Sequence, residues 1–255
     1  MAAFNQGFGR KVSVSPNRVF SGETKDYGFS GQVDYDFGGA TLTSITAYRQ
    51  YRSGQASDTD YGEVDILYRA PSDDAYLQNH TITQELRLQG EAFDGKLDWL
   101  VGGFFANEKL TVRDNLRFGN QYGRFATCRI ISGGGLAALY SPTSPACLAA
   151  RPAAFGAASP IVYGAFDRLD AMNNVGTTND RYFQNGTNWA VFTHNIVHIT
   201  DTVNLTLGLR YTKDKKKFDA TFGNDNSICT ANQAALASLL TTPAAATAGA
   251  VIGLS

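Results

Sequence analysis

Val203-Asn-Leu-Thr-Leu-Gly-Leu-Arg-Tyr-Thr212 alternates without exception. Val203, Leu205, Leu207, Leu209 and Tyr211 share one parity, and Asn204, Thr206, Gly208, Arg210 and Thr212 share the other. Successive side chains of a strand point to opposite faces, so this stretch is a strand with one apolar face and one polar or small face. Thr81 to Gln89 repeats the pattern. Ile82, Leu86 and Leu88 fall on one side, and Thr81, Thr83, Glu85, Arg87 and Gln89 on the other, with Gln84 as the exception.

Around these two stretches the strands are less tidy. Within Ala40–Arg52 the apolar residues change parity between Leu42 and Ile45, and both parities are apolar through Leu100–Phe105. Asn188–Thr200 carries Trp189 and Val191 on one face but Phe192 and Ile196 on the other. A bulge or a second buried face would each produce this. Connection lengths organise the set. Asp26–Phe37 pairs with Ala40–Gln55, His80–Glu91 with Lys96–Arg117, and Arg181–Ile199 with Val203–Phe222. The turns within the pairs are Gly38-Gly39, Ala92-Phe93-Asp94-Gly95 and Thr200-Asp201-Thr202, all turn-forming residues. The connections between pairs are long and read as loops, which counts against a compact soluble domain.

Composition narrows the class. The chain has 255 residues, 22 Lys plus Arg against 23 Asp plus Glu, and 18% charged residues. Ordinary domains carry about 25% charged residues. Its 12% aromatics exclude a disordered tail, and a net charge of −1 gives no support to nucleic-acid binding. Met1–Gly9 lacks the pattern of a secretory signal peptide. The uncharged end of the chain is broken by Pro243 and dominated by Ala and Thr, so it reads as loop with a short amphipathic helix over Ala231–Leu240.

Long strands joined alternately by short turns and long loops fit an antiparallel transmembrane β-barrel. Here the segment has about six strands, with short periplasmic turns and long extracellular loops. Tyr48, Tyr51, Trp99, Phe104, Phe105, Trp189, Phe192 and Tyr211 could supply its aromatic girdles. On this reading Val203, Leu205, Leu207, Leu209, Tyr211, Ile82, Leu86 and Leu88 face lipid, while Asn204, Thr206, Arg210, Glu85 and Arg87 face the lumen. A secreted β-sandwich with ordinary core aromatics is the alternative.

Five segments in order carry a resemblance: LTSITAYRQY (Leu42–Tyr51), QELRLQG (Gln84–Gly90), GKLDWLVGGFFANE (Gly95–Glu108), NWAVFTH (Asn188–His194) and LTLGLRYTKDKKKF (Leu205–Phe218). Together they resemble the barrel of TonB-dependent outer-membrane receptors, especially the iron-complex and siderophore type. The resemblance implies a barrel of about 22 strands with a plugged lumen, substrate bound at the plug apex and extracellular loops, and energy delivered by TonB. No TonB box, plug or terminal aromatic strand is legible, so the whole chain is expected to be an internal part of one such barrel domain. Open sheet edges in hydrocarbon would cost tens of kcal/mol, roughly, which points the same way. The implied location is the bacterial outer membrane. The implied partners are outer-membrane lipid and lipopolysaccharide, the remainder of the barrel and plug, and the TonB system. No cofactor and no nucleic acid is implied. A passive porin-like channel is the runner-up.

The candidate chemistry is sparse. Cys128 and Cys147 share one long loop that this topology would place in an oxidising exterior, so a disulfide is expected, with two free thiols as the alternative. Cys229 is left over. His194 and His198 share a strand face but sit about 13 Å apart, too far for one ion. With His80 they read as structural or lumen-facing. Asp58, Asp60, Glu63 and Asp73-Asp74 could work as acid–base pairs or hold Ca²⁺, although a solvated loop near lipopolysaccharide is the preferred reading. Lys213, Lys215, Lys216 and Lys217 could attract anionic ligands or lipid phosphates, or simply form a solvated strand end. Gly133-Gly134-Gly135 lacks the Lys-Ser/Thr of a phosphate loop, and no nucleophile elbow or triad is legible, so the chain is not expected to be an enzyme.

Overall fold

The computed structural model describes residues 13–71, 74–133, 136, 139–149 and 154–255. Asp73, Gly134, Gly135 and the Met1–Gly9 stretch lie outside the described residues. Among the described residues nine strands occur in chain order: β1 Gly22–Asp36, β2 Ala40–Gln55, β3 Ser57–Asp58, β4 Leu67–Arg69, β5 Ala75–Ala92, β6 Leu97–Asp114, β7 Arg117–Phe118, β8 Arg181–Thr200 and β9 Val203–Thr221. The six long ones form one antiparallel sheet in the order β1-β2-β5-β6-β8-β9. It is not closed into a barrel, because β1 and β9 each pair on one side only.

The chain is thus an antiparallel all-β sheet of six long strands, as the alternation predicts. Boundaries move by a few residues: β5 begins at Ala75 rather than His80, and β6 ends at Asp114, with Arg117–Phe118 as a separate strand. The three turns sit where expected. Phe37 N–H donates to Ala40 O at 2.9 Å, and Gly38 takes φ 87°. In the second turn Phe93, Asp94 and Gly95 are all left-handed, at φ 56°, 56° and 78°. In the third, Thr200 Oγ1 accepts from Val203 N–H at 3.0 Å.

Register resolves the untidy parity. β2, β5 and β6 pair without a shift, and the one irregularity lies between His198 and Thr200 at the last turn. No bulge accounts for Leu42 against Ile45 or Val101 against Leu100. The sheet instead carries a second apolar patch, Leu100, Phe104, Phe192 and Ile196, on its otherwise polar face.

All the long connections emerge at the sheet end opposite the tight turns, and they are not structureless. This corrects the reading of them as loops. β3, β4 and β7 form a small antiparallel sheet. The described residues also hold four α-helices: α1 Tyr122–Gly133, α2 Ser159–Asp170, α3 Ser227–Leu236 and α4 Ala245–Gly253. The expected helix over Ala231–Leu240 starts earlier, where Asn226 caps it by accepting from Ile228 N–H at 3.0 Å, and α4 was not anticipated. Helical spacing brings Val162, Phe166 and Leu169 to one side of α2, where they are buried with Ile131, Met172, Leu236 and Val251. Among the described residues, Ala75 and Ala190 are the only buried apolar residues on the long strands. The hydrophobic core therefore belongs to this folded tier and not to the sheet. A Cβ on Gly123 would lie 1.9 Å from Leu169 O, so only glycine lets α1 approach α2 this closely.

Asn115, fully buried, ties tier to sheet. Its Nδ2 donates to Asp74 Oδ1 and Thr178 O, both at 3.3 Å, and its Oδ1 accepts from Asp180 N–H at 2.9 Å. One side chain thus joins the tier-side ends of β5, β6 and β8. No helix among the described residues is long and apolar enough to cross a membrane, which says nothing of strands.

Candidate functional site

Cross-strand partners in a sheet point to the same face, so the register sorts every side chain. One row runs Tyr35–Leu42–Leu88–Val101–Thr193–Leu209, and the next Val33–Ser44–Leu86–Gly103–Val191–Tyr211. This apolar face holds every residue predicted to face lipid: Val203, Leu205, Leu207, Leu209, Tyr211, Ile82, Leu86 and Leu88. It is uncovered, with Leu209 74% exposed, Val33 67% and Phe29 70%. A continuous apolar surface of this kind marks a membrane or protein–protein interaction surface. Trp189 stacks near Tyr211 at 5.6 Å, and Phe29 near Tyr48 at 5.5 Å. Tyr51, Phe104 and Phe192, counted among the girdle aromatics, lie on the opposite face, a correction that comes from register alone.

The opposite face is polar. Its rows include Asp34–Thr43–Arg87–Gly102–Phe192–Arg210 and Gln32–Ile45–Glu85–Phe104–Ala190–Thr212. Asn204, Thr206, Arg210, Glu85 and Arg87, the predicted lumen residues, all fall here. Asp34 accepts from Thr43 Oγ1 at 2.6 Å and Gln32 Nε2 at 2.8 Å, and Arg87 pairs with Glu85. Arg49 donates to Asp26 at 2.6 and 3.0 Å. Arg210 lies 5.3 Å from the Phe192 ring centroid, so its charge caps the apolar patch. Where the turns end, His198 bonds Asn204 Oδ1 at 2.8 Å through Nδ1 and Asp98 Oδ2 at 3.0 Å through Nε2. His80 is on the apolar-face side, bonded to Tyr48 Oη at 3.1 Å. No group of three or more His, Cys, Asp or Glu among the described residues is placed to hold a metal ion.

In the tier, Asp58 and Asp60 are not a solvated acidic loop. Asp58 is buried, and its Oδ2 accepts from Ser15 N–H at 2.9 Å while its Oδ1 accepts from Asp60 and Tyr61 N–H, both at 3.1 Å. Asp60 Oδ2 accepts from Ile66 and Leu67 N–H at 3.1 and 2.9 Å. The Asp58 carboxylate is buried because it satisfies backbone donors, and the half-buried Asp60 carboxylate holds its turn in the same way. Asp74 pairs with Arg117 at 3.1 Å.

One bidentate tier contact was invisible in sequence, because its members are far apart in the chain. Arg18 grips Asp65 through Nε and Nη2, the latter at 2.7 Å, and lies 3.3 Å over the Tyr68 ring. Asn120 N–H adds a bond to Asp65 at 2.8 Å. Burial works to raise the Asp65 carboxyl, but the Arg18 hydrogen bond, the Asn120 N–H and the Arg18 charge outweigh it and hold it below the usual range. Burial pushes the Tyr122 hydroxyl up, and that hydroxyl donates to Leu254 O at 2.9 Å. Cys128 and Cys147 are joined in a disulfide that ties α1 to the following connection, with Cα atoms 4.8 Å apart; Cys229 is a free thiol.

No family model matches the chain, and no curated protein matches it. Among solved structures, it is similar to the ferric yersiniabactin uptake receptor FyuA from Yersinia pestis, at 14% identity and a TM-score of 0.44. The match covers 85% of this chain and 26% of that receptor, so the chain spans well under two thirds of the receptor's length.

Proposed function

We propose that the chain is part of a β-barrel receptor of the bacterial outer membrane that takes up a large, scarce solute by TonB-dependent transport, the solute being a ferric siderophore or another iron complex. The observation that carries this is the sorting of the six-stranded sheet into an uncovered apolar face and a hydrogen-bonded polar face. The strictly alternating run of β9 from Val203 to Tyr211 would span roughly 21–24 Å of membrane height once tilted, close to the ~25 Å of a barrel's apolar band. Tight turns at one end and a folded tier at the other match periplasmic turns and extracellular loops. The open β1 and β9 edges call for further strands from a longer chain, and the plug and TonB contact would come with them. The solute class rests on the resemblance of the five quoted segments. On this reading the chain is a transport component and not an enzyme.

Cell fractionation followed by radioiron uptake tests the reading. The complete receptor should be extracted from the outer membrane only by detergent. It should load ferric siderophore only while the proton gradient is maintained. Uptake that survives collapse of the gradient would replace active transport with a passive channel, and a chain soluble without detergent would end both.

A further inference from the structure

Gln84 breaks the alternation of β5, and the register puts its amide on the apolar face, in the row Gly31–Thr46–Gln84–Phe105–Trp189. It does not lie at the margin of that face. Ile82 and Leu86 flank it along β5, Leu42 and Tyr48 flank Ser44 and Thr46 along β2, and Phe29 and Val33 flank Gly31 along β1. The three polar side chains bond one another. Thr46 Oγ1 donates to Gln84 Oε1, and Gln84 Nε2 donates to Ser44 Oγ at 3.0 Å and to Glu85 O at 3.2 Å. Both amide hydrogens are then used, while Gln84 Oε1 and Thr46 Oγ1 keep free lone pairs. The Ser44 O–H has no acceptor among the described residues. Two glycines frame the cluster on the same face, Gly31 beside Thr46 and Gly103 beside Leu86. A Cβ on Gly31 would meet nothing within 4 Å, and one on Gly103 would meet Ala190 O at 3.9 Å. Neither glycine has a left-handed backbone. On the polar face, by contrast, a Cβ on Gly102 would lie 2.4 Å from the Phe192 ring. Nothing in the sheet requires glycine at 31 or 103, and a strand glycine of that kind marks a place where another backbone approaches closely.

We infer that this patch is the contact between two copies of the chain, packed side by side in the membrane through the outward faces of β1, β2 and β5. The inference rests on the receptor reading above, because it needs that face to lie in hydrocarbon. Two observations select a second copy as the occupant. A surface with a free donor, the Ser44 O–H, beside free acceptors on Gln84 and Thr46 is complementary to itself. Across a twofold axis the Ser44 of each copy donates to an acceptor on the other, and both hydroxyls are satisfied. Acyl chains have no acceptor to offer, so against lipid the hydroxyl stays unpaired at a cost. The bare Cα positions of Gly31 and Gly103 then let the two backbones come near enough for these short side chains to meet. Small residues for close approach and polar residues as glue are how protein surfaces associate inside a bilayer. The outward side chains of β9 from Val203 to Tyr211 include neither a glycine nor an amide or aliphatic hydroxyl, so that sector faces acyl chains and the dimer contact is confined to β1, β2, β5 and the adjoining Gly103.

The test is the oligomeric state of the complete receptor in lipid, counted by photobleaching steps over a series of protein densities. The wild type should associate as dimers. Ser44→Ala, Gln84→Leu and Gly31→Leu should each weaken association by about three- to tenfold, and Leu209→Ala on β9 should leave it unchanged. Heat-modifiable migration shows that each variant is folded, and Ser44→Ala, which removes a single hydroxyl, carries the test if the bulkier changes do not fold. In a second arm, Ile82→Cys in a Cys229→Ser background should crosslink to a second copy in native outer membranes under copper phenanthroline, and Leu209→Cys should not. A monomer at every density, dimers undiminished in all three variants, or an Ile82→Cys adduct with a different protein in place of a second copy would each overturn the contact. Membrane fractionation is scored separately. A receptor embedded in the outer membrane that fails these arms loses the dimer contact alone, whereas a receptor absent from the membrane loses the transport reading and the contact together.

Discussion

Leu207 and Thr206 are adjacent in sequence and opposite in environment. Leu207 is on the apolar face, 54% exposed, whereas Thr206 is on the polar face with Ile196 as its cross-strand partner. On the receptor reading, Leu207→Arg should cost about 2–4 kcal/mol near the bilayer midplane, and Thr206→Arg far less. Denaturant titration of the receptor in lipid would measure both, and equal costs would reverse or abolish the orientation. Asp65 gives a prediction of a different kind. Its carboxyl ionises more readily in the folded tier than in the unfolded chain, so the Arg18–Asp65 contact stabilises the tier at neutral pH. That contribution should disappear as pH falls from about 4 through the lowered folded value. Hydrogen exchange at Gly119 and Gln121, whose N–H groups donate to Ile66 O and Asp65 O, should accelerate over that window, and Asp65→Asn should be fast at neutral pH already. The two sites also differ in legibility. Leu207 is readable because a strand's period is fixed by local stereochemistry. Asp65 is not, since its worth depends on Arg18 and Asn120, which chain spacing does not bring together. Asp58 misled for the same reason: buried N–H groups, unseen in sequence, decide whether an acidic residue is solvated.

At the scale of elements, the six long strands were readable because each is amphipathic with period two and three of their joints are short turns. Where both parities were apolar, as in Leu100–Phe105, periodicity could not distinguish a bulge from a second apolar patch; only register does. Apart from α3, the tier's helices escaped for a related reason. α2 carries its signal in Val162, Phe166 and Leu169, but Ile161, Tyr163 and Ala165 spread apolar residues round the helix, and α4 is Ala-dominated, so neither shows strong contrast between faces. Their stability comes from packing on one another, which a single-segment reading does not contain. The Cys128–Cys147 disulfide holds one edge of that packing. Cys147→Ser should lower tier stability by about 3 kcal/mol in the chain-entropy model. Limited proteolysis should then cut the connection between α1 and α2 while the long strands stay resistant in lipid. Simultaneous loss of strand protection would mean that tier and sheet fold as one.

For the molecule as a whole, the open edges of β1 and β9 dominate. Each presents a run of unpaired backbone groups, which hydrocarbon does not tolerate. Six strands also fall below the eight of the smallest single-chain bacterial barrels. This polypeptide by itself should therefore neither form a monomeric barrel nor carry solute. Refolding it into lipid and scoring heat-modifiable migration, protease protection and uptake would show this, and a protected, transporting monomer would make it a small channel in its own right.

The placement of the core off the sheet has a thermal consequence. Val162, Leu169, Leu236 and Val251 gain their burial from one another, while the long strands are tied to the tier by polar contacts such as those of Asn115 and the Arg69–Asp114 ion pair. On the receptor reading, this arrangement predicts two cooperative units, one answering to water and one to the apolar phase around the strands. Calorimetry of the receptor in detergent should resolve two endotherms. Reducing agent should move the tier's endotherm down in temperature, and a change of detergent chain length should move the other.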